Sequence, residues 1–438
     1  MAKSRYRNGS PRVVVVGGGF AGLAAVKTLS KVKPPVRVTL LEQHNYHLFQ
    51  PLLYQLATGL VQPADIAHPV RGIVRRYRRT GVRMATVSGV DFDAREVLTD
   101  EGGRFGYDYL ILAAGATTAT FGIPGVAEHS FPLKTMPDAL QLRAHLLRQF
   151  ELADNDPGEI DKGALTVVVV GGGPTGVEMA GALHELFKHV LVHDFPDLDI
   201  NQAKVVLLEA TDHLLAPFHP SSRQHALHIL NKRGVEVRLK DGTVILTRTL
   251  VWGAGVRAHP VADVLGLEQT RGGRIVVGED MSVAGRPEVF VVGDLAGAGD
   301  GKGGLLPQVA QPAIQEARHA ALQIQHTLDS TPREGFTYKD KGIMATIGRN
   351  AAVTELPNGA RFKGVLAWYM WLVLHLAYIV GFRSRMAVLV NWIWSYLTYD
   401  RHARIIVAVE PQRRAASPQP APSAPPPEAA SADRPVVG

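Results

Sequence analysis

The chain has 438 residues, 46% hydrophobic and 20% charged, with a formal net charge of +7. That is an ordinary globular balance sized for two or three domains, which excludes collagenous or wholly disordered chains, and the modest charge reads as a solvated mixed surface until position is considered. There is no cysteine, which excludes a disulfide scaffold, thiolate-held zinc or iron–sulfur clusters, c-type haem attachment, thiol nucleophiles and dithiol relays, and leaves redox chemistry to an organic cofactor or a His/carboxylate-bound metal.

The polar, basic stretch Met1–Pro11 runs straight into Val13–Val16, an apolar run too short and wrongly placed for a signal peptide, so a cytoplasmic-facing protein is expected. Four valines then lead into Gly17-Gly18-Gly19-Phe20-Ala21-Gly22 and a helix predicted over Leu23–Lys31. In a G-x-G-x-x-G loop the first glycine permits the tight turn, the second admits a pyrophosphate to the backbone, and the third lets helix pack on strand. The helix N-terminus supplies free N–H groups and the positive dipole end. A strand over Val36–Leu41 ends in Glu42, 20 residues past Gly22, where a carboxylate suits a ribose hydroxyl pair. Tyr109–Thr117 reads as a strand entering the small-residue turn Ala113-Ala114-Gly115, where backbone can approach a cofactor.

The same unit then recurs 154 residues on, a spacing too long for a solenoid. Val167–Val170 precedes Gly171, Gly173, Thr175 and Gly176, and the strand Val205–Leu208 ends in Glu209. Glu209 would accept the 2′-hydroxyl of NADH and repel the extra phosphate of NADPH; no Arg follows it, although Lys204 and His213 are nearby cations of opposite tendency. Trp252-Gly-Ala-Gly255 resembles the 113–115 turn and is expected to do its job in the second unit. Glu288–Val292 reads as a strand running into Gly293-Asp294. Asp294 is either a helix N-cap or an acceptor for a ribityl hydroxyl, and beside two fingerprints the second reading is preferred.

From about residue 336 to 410 the chain is richer in Trp, Tyr and Leu; Gly364–Phe382 and Met386–Tyr399 carry no Asp, Glu, Lys or Arg. The first run is long enough to span a membrane. The second is 14 residues, too short to return, and Asn391, Ser395 and Thr398 form one helical stripe, so a pair of helices lying in the interface is preferred over a span or a buried core helix. The tryptophans suit the headgroup zone, and Arg361, Lys363, Arg383, Arg385, Arg401 and Arg404 flank the apolar runs, suiting anionic lipid. Pro411–Gly438 holds eight of the 28 prolines and is expected to be a disordered tail, a docking ligand being the alternative.

The fold expected is therefore α/β, with two Rossmann-like dinucleotide-binding domains plus a C-terminal amphipathic helical membrane-binding segment. Its divisions are 11–125 with 270–330 for FAD, 126–269 for NADH, 336–410 for the membrane and 411–438 for the tail. Two dinucleotide sites in one chain mean that one ligand stays as the redox centre and the other leaves as substrate, and FAD with NADH is the economical pair.

The order of motifs resembles the glutathione-reductase-like flavoproteins. Their disulfide reductases and sulfide:quinone oxidoreductases use cysteines that this chain lacks. Four stretches resemble the type II (alternative, non-proton-pumping) NADH:quinone oxidoreductases: Asn45–Gly59 (NYHLFQPLLYQLATG), Leu306–Gln315 (LPQVAQPAIQ), Ile347-Gly-Arg349, and Gly381–Arg385 with Trp392 and Tyr399–Arg401. The likeness runs over roughly residues 11–407. It implies FAD held non-covalently, with Gly17, Gly18, Gly19, Phe20, Ala21, Gly22, Glu42, Gln43, Val87, Ala114, Gly115, Gly293, Asp294 and Ala310 at its binding positions. It implies NADH docking on the second unit through Gly171, Gly173, Thr175, Gly176, Glu209 and Gly255, with no metal site assigned.

The resemblance also places a membrane quinone, menaquinone or ubiquinone, near Gln311 and Gln315, which lie four apart on one helical face and carry amides able to bond a quinone carbonyl. An exposed polar face is the plainer reading of that pair. Glu178, in the first turn of the second fingerprint helix, is either a dipole-satisfying carboxylate or, by the resemblance, a proton relay. His47 and Tyr54 are expected to shape the pocket. The partners implied are NADH, quinone and the cytoplasmic face of the cell membrane, with a homodimer left open and no nucleic acid.

The family usually has an extra strand–turn–strand after Val235–Leu239, which looks deleted here by ~15 residues, about two short strands. Two rival readings stand beside this one: a soluble NAD(P)H-dependent reductase of a ferredoxin or rubredoxin, and a redox-sensing protein that binds FAD and NAD without turnover. Residues 364–399 argue against the first.

Overall fold

The computed structural model describes residues 9–238, 244–399 and 404–406. Arg12–Val16 lies inside a six-stranded sheet, parallel to Arg37–Glu42 on one side and Tyr109–Leu112 on the other. Arg286–Val291 extends the sheet beyond Tyr109–Leu112, and Thr80–Met84 closes the far edge. Four consecutive valines suit the central place, since a parallel strand covered on both faces is apolar throughout rather than alternating. In the second sheet Thr166–Val170 takes the same place, parallel to Lys204–Leu208 and Thr249–Trp252. Even the register repeats: Val13 faces Val38 and Tyr109, and Val167 faces Val205 and Thr249. Ala116–Thr118 and Val256–Ala258 form an antiparallel ribbon joining the two units.

The first fingerprint helix is Phe20–Leu29, three residues earlier than the predicted start, because Gly19 itself is the N-cap in extended conformation. It packs on Ala310–Asp329 through Ala21, Ala24, Ala25, Ala313, Ala317 and Ala320, all buried, and their small size lets the helices approach closely. The second fingerprint helix, Pro174–Leu186, begins with proline at its first position, where the missing N–H costs nothing.

A third, antiparallel sheet (Ile343–Gly348, Ala351–Glu355, Arg361–Lys363) lies against that second helix. Gly181 makes this possible, since a Cβ there would run into the Ile347 carbonyl oxygen. Glu185, one helical turn on, accepts the Arg349 N–H and takes Arg233 Nη1 at 3.1 Å. These contacts, with Gly348 at φ +116°, give the Ile347-Gly-Arg349 sequence a structural reason.

The uncharged run from Gly364 does not continue as one helix. It ends at Tyr378, Gly381 turns the chain at φ +87°, and Phe382–Thr398 forms the second helix. Among the described residues no helix is long and apolar enough to cross a membrane. The polar stripe of the second helix faces largely inward: Asn391 Nδ2 donates to Asp65 at 2.8 Å and Ser395 is buried, while Thr398 stays exposed and bonds Trp394 O. What the helix shows outward is Phe382, Met386, Val390, Ile393, Trp394 and Leu397. The expected shortening near residues 239–240, the tail from Pro411 and Arg401 lie outside the described residues.

Candidate functional site

The glycine loop, the end of the Arg37–Glu42 strand and the Ala113–Gly115 turn surround a cleft of about 440 Å³, within the usual range for small-molecule sites. Gly17 holds φ +100°, and a Cβ there would strike the Ala113 carbonyl; one on Gly22 would strike the carbonyl of Gly17. Around Gly19, by contrast, a Cβ would meet nothing within 4 Å, so the space over the helix N-terminus is open. No side chain caps that helix, which leaves its first-turn N–H groups for a ligand. A pyrophosphate fits such a cradle.

Glu42 braces the loop from below. Its carboxylate accepts the Gly18 N–H and, at 2.9 Å, the His44 N–H. Burial pushes its pKa up, but the bonds to His44 and Gly18 outweigh that and hold it below the ordinary value. Glu209 repeats the arrangement, accepting Gly172 N at 2.5 Å and Thr211 N at 2.8 Å. Each such oxygen has a second lone pair, so both carboxylates remain able to accept from a ribose hydroxyl. Gly171 closes on the Gly253 carbonyl, 2.6 Å from a would-be Cβ, so the 253–255 turn copies the 113–115 turn as the sequence suggested.

Glu178 and Thr175 belong to the second fingerprint helix, yet both line the first cleft. The structure thus brings them together with Gly17, Gly18, Gly19, Phe20, Ala21, Glu42, Gln43, Ala114, Gly115, Gly293, Asp294 and Ala310. Glu178 Oε1 accepts the Thr346 N–H at 3.3 Å. Burial pushes its carboxyl up to about 8, against the opposing pull of Thr346 and of the Trp371 indole. That indole N–H is buried and faces Glu178 without reaching full hydrogen-bond geometry.

Val87, Gln311, Gln315, Gly22, Gly171, Gly173, Gly176, Glu209 and Gly255 are not part of this lining. Gly22 and Gly176 are packing positions, as their loop role requires. Val87 opens the small antiparallel sheet Val87–Asp91, Glu96–Thr99, Arg104–Gly106. Gln311 donates to the Tyr378 hydroxyl at 3.0 Å, at the end of the first C-terminal helix. Gln315 spends both ends of its amide on the backbone of Lys339, at 2.9 and 3.0 Å, so it offers less to a ligand than the four-residue spacing implied.

Several groups escaped the sequence reading. Lys134 Nζ stands 3.5 Å from Asp294 Oδ2, Gln308 Nε2 donates to Asp294 O at 2.8 Å, and His259 joins the wall. Behind the loop, buried Glu316 accepts Gly293 N at 2.6 Å, and burial pushes its carboxyl up to about 7. Below Glu178 an indole-to-phenol chain runs from Trp392 Nε1 to Gln55 Oε1 at 2.8 Å and from Gln55 Nε2 to Tyr54 OH at 3.0 Å. His375 stacks on Trp371, centroids 3.8 Å apart. The sequence signalled only some of these: Tyr54 and Gln55 through the NYHLFQPLLYQ stretch, Gln308 through LPQVAQPAIQ, and Trp392 by itself.

Two fingerprint units facing one cleft, with no cysteine in the chain, define a pyridine-nucleotide-dependent flavin oxidoreductase that works without a thiol relay. Residues 11–321 match the family model of pyridine nucleotide-disulphide oxidoreductases, and residues 341–402 match the NDH2 C-terminal domain. The chain is 40% identical over 420 residues to the type II NADH:quinone oxidoreductase Ndh of Mycobacterium tuberculosis, covering 89% of each chain. It is 31% identical to the internal alternative NAD(P)H-ubiquinone oxidoreductase A1 of Arabidopsis thaliana mitochondria, over 88% of this chain and 84% of that one. Among solved structures, NDH2 from Plasmodium falciparum in complex with NADH superposes with a TM-score of 0.82 at 20% identity, over 91% of this chain and 100% of that one. The sulfide:quinone oxidoreductase of Aquifex aeolicus shares the fold at a TM-score of 0.67 and 17% identity, over 89% and 94%. The chain belongs to the type II NADH:quinone oxidoreductase family.

Proposed function

We propose that the protein takes two electrons from NADH through a non-covalently held FAD to a membrane quinone, as a peripheral enzyme on the cytoplasmic side of the membrane that pumps no protons. The observation that carries this reading is Glu178 and Thr175 of the second fingerprint helix standing in the cleft of the first. We assign 11–125 and 270–330 to FAD, 126–269 to NADH and 336–410 to the membrane. The bound flavin supplies hydride acceptance from nicotinamide and electron delivery to quinone.

The residues supply the rest. Gly19 keeps a side chain out of the pyrophosphate space, Gly17 and Gly18 let the loop close on Ala113 and Glu42, and Glu42 and Glu209 each offer ribose a free carboxylate lone pair. Glu209 also repels a 2′-phosphate, favouring NADH over NADPH. Lys134 fixes Asp294 toward the cleft. Glu178 holds its proton at neutral pH because burial lifts it to about 8, so its carboxyl is a donor when quinone takes up protons. Tyr54 accepts from Gln55 and keeps its own O–H to donate. Gln311 uses one N–H on Tyr378 and retains the other for a quinone carbonyl, while Gln315 positions the 339 backbone.

The test is NADH oxidation by purified, yellow protein with and without a soluble quinone analogue. Strong quinone stimulation supports the reading; FAD-bearing protein without it sinks the reading.

A further inference from the structure

Between Val70 and Met84 the chain carries six arginines and no acidic residue: Arg71, Arg75, Arg76, Arg78, Arg79 and Arg83. All six are exposed, and among the described residues none of them makes an ion pair. What they touch is neutral: Arg76 reaches the Ile73 carbonyl and lies over the Tyr77 ring, Arg79 reaches Ser10 Oγ, and Arg83 reaches the Val82 carbonyl. Val70, Ile73 and Val74 turn inward, so the short Val70–Val74 helix shows Arg71, with Arg75 one turn on, to the outside. A solvated helix face ordinarily mixes signs; this one does not.

Its location gives the charge a purpose. His68 sits against the turn that joins the two C-terminal helices, 3.0 Å from where a Gly381 Cβ would stand. The next residue, Phe382, is 78% exposed and begins the outward apolar row. Asn391 on the second helix is bonded to Asp65 at 2.8 Å. Arg71 follows His68 by three residues, so the two backbones lie within about 10 Å of each other. The arginine face therefore continues from the edge of the apolar helix pair.

We propose that the Arg71–Arg83 face is a second, electrostatic membrane contact that docks on anionic phospholipid headgroups while the helix pair enters the apolar layer. It rests on the peripheral-membrane reading of the helices and extends it to a segment of the first unit. Such a contact acts only within a Debye length, about 8 Å at physiological salt, so the face must lie close along the bilayer, and its share of binding must fall with salt. Each arginine near an anionic surface strengthens binding by about fivefold.

The experiment uses the full-length, flavin-loaded protein in vesicle flotation, with phosphatidylcholine alone or with one part phosphatidylglycerol to two of phosphatidylcholine. The variant is Arg71→Gln/Arg75→Gln/Arg76→Gln/Arg78→Gln, with its visible flavin spectrum and turnover on a soluble quinone analogue as checks that it is folded. The expected result is wild-type affinity for neutral vesicles and a loss of about tenfold or more on anionic ones, with a flattened salt dependence. Wild-type affinity for anionic vesicles overturns the proposal, and so does an equal loss on both kinds. A wild-type protein that floats with neither vesicle sinks the membrane reading instead, and Phe382→Ser/Leu397→Ser, which should weaken both kinds of binding, tests that reading by itself.

Discussion

Glu178 is a carboxyl in a place where ionisation is costly. Its folded pKa of about 8 stands above the ordinary 4.5, so folding favours the protonated form. That contribution is complete below about pH 4.5 and is lost as the pH rises through about 8. Glu178→Gln should cut quinone-dependent turnover on the order of a hundredfold while leaving flavin reduction by NADH largely intact; stopped-flow bleaching of the flavin against steady-state turnover separates the two. Equal losses in both steps would argue for a positional role. Glu316 follows the same sign between 4.5 and about 7. Glu316→Gln keeps an oxygen for the Gly293 N–H, so it should make the melting temperature less pH-dependent across that window, read by thermal scans from pH 4 to 8. Glu178 could be found from its offset to Gly176. Glu316 could not, because nothing local says that the Gly293 N–H, 23 residues away, will need an acceptor inside the protein.

At the scale of elements, glycines decide where backbones meet. Both fingerprints were legible because their geometry depends on the missing Cβ atoms themselves and on a following acid, all written locally. Gly181 was not: it is an ordinary helix residue until the Ile343–Gly348 strand arrives from far along the chain. Gly181→Val should push that strand away and cost about 1–3 kcal/mol, seen as a lower melting temperature and, through Thr346, a disturbed Glu178. A wild-type melting temperature would mean that the strand yields freely. The second C-terminal helix teaches a related lesson. Its polar stripe was legible in the periodicity, but a stripe does not say which side is inside, and Asp65 and the buried Ser395 position settle that toward the protein. Trp392→Phe removes the donor to Gln55 and leaves a buried carbonyl without it, at about 1–3 kcal/mol, measurable as a drop in denaturation midpoint.

At the scale of the molecule, the cleft is shared property. Its floor is the first sheet, Glu178 comes from the second unit, and behind Glu178 stands Trp371, from the helices that carry the apolar outer face. Walls contributed by connecting segments, such as Lys134 and His259, were beyond sequence reading because their approach depends on how the two units fold against each other. Cutting the chain before Phe362 would release it from membranes, but it would also strip Trp371 and Trp392 from Tyr54 and Gln55. We therefore expect that truncation to melt lower and lose flavin, whereas Val390→Ser/Ile393→Ser/Leu397→Ser should leave the membrane with a near wild-type melting curve; retention of that variant in washed membranes would contradict the assignment of the outward face. The same inside-out arrangement has an optical consequence. Of the five tryptophans, Trp252, Trp368, Trp371 and Trp392 are buried and Trp394 alone is 51% exposed. The red edge of the intrinsic emission therefore comes from one indole on the outward helix face, and its blue shift on adding lipid would report insertion without any attached label.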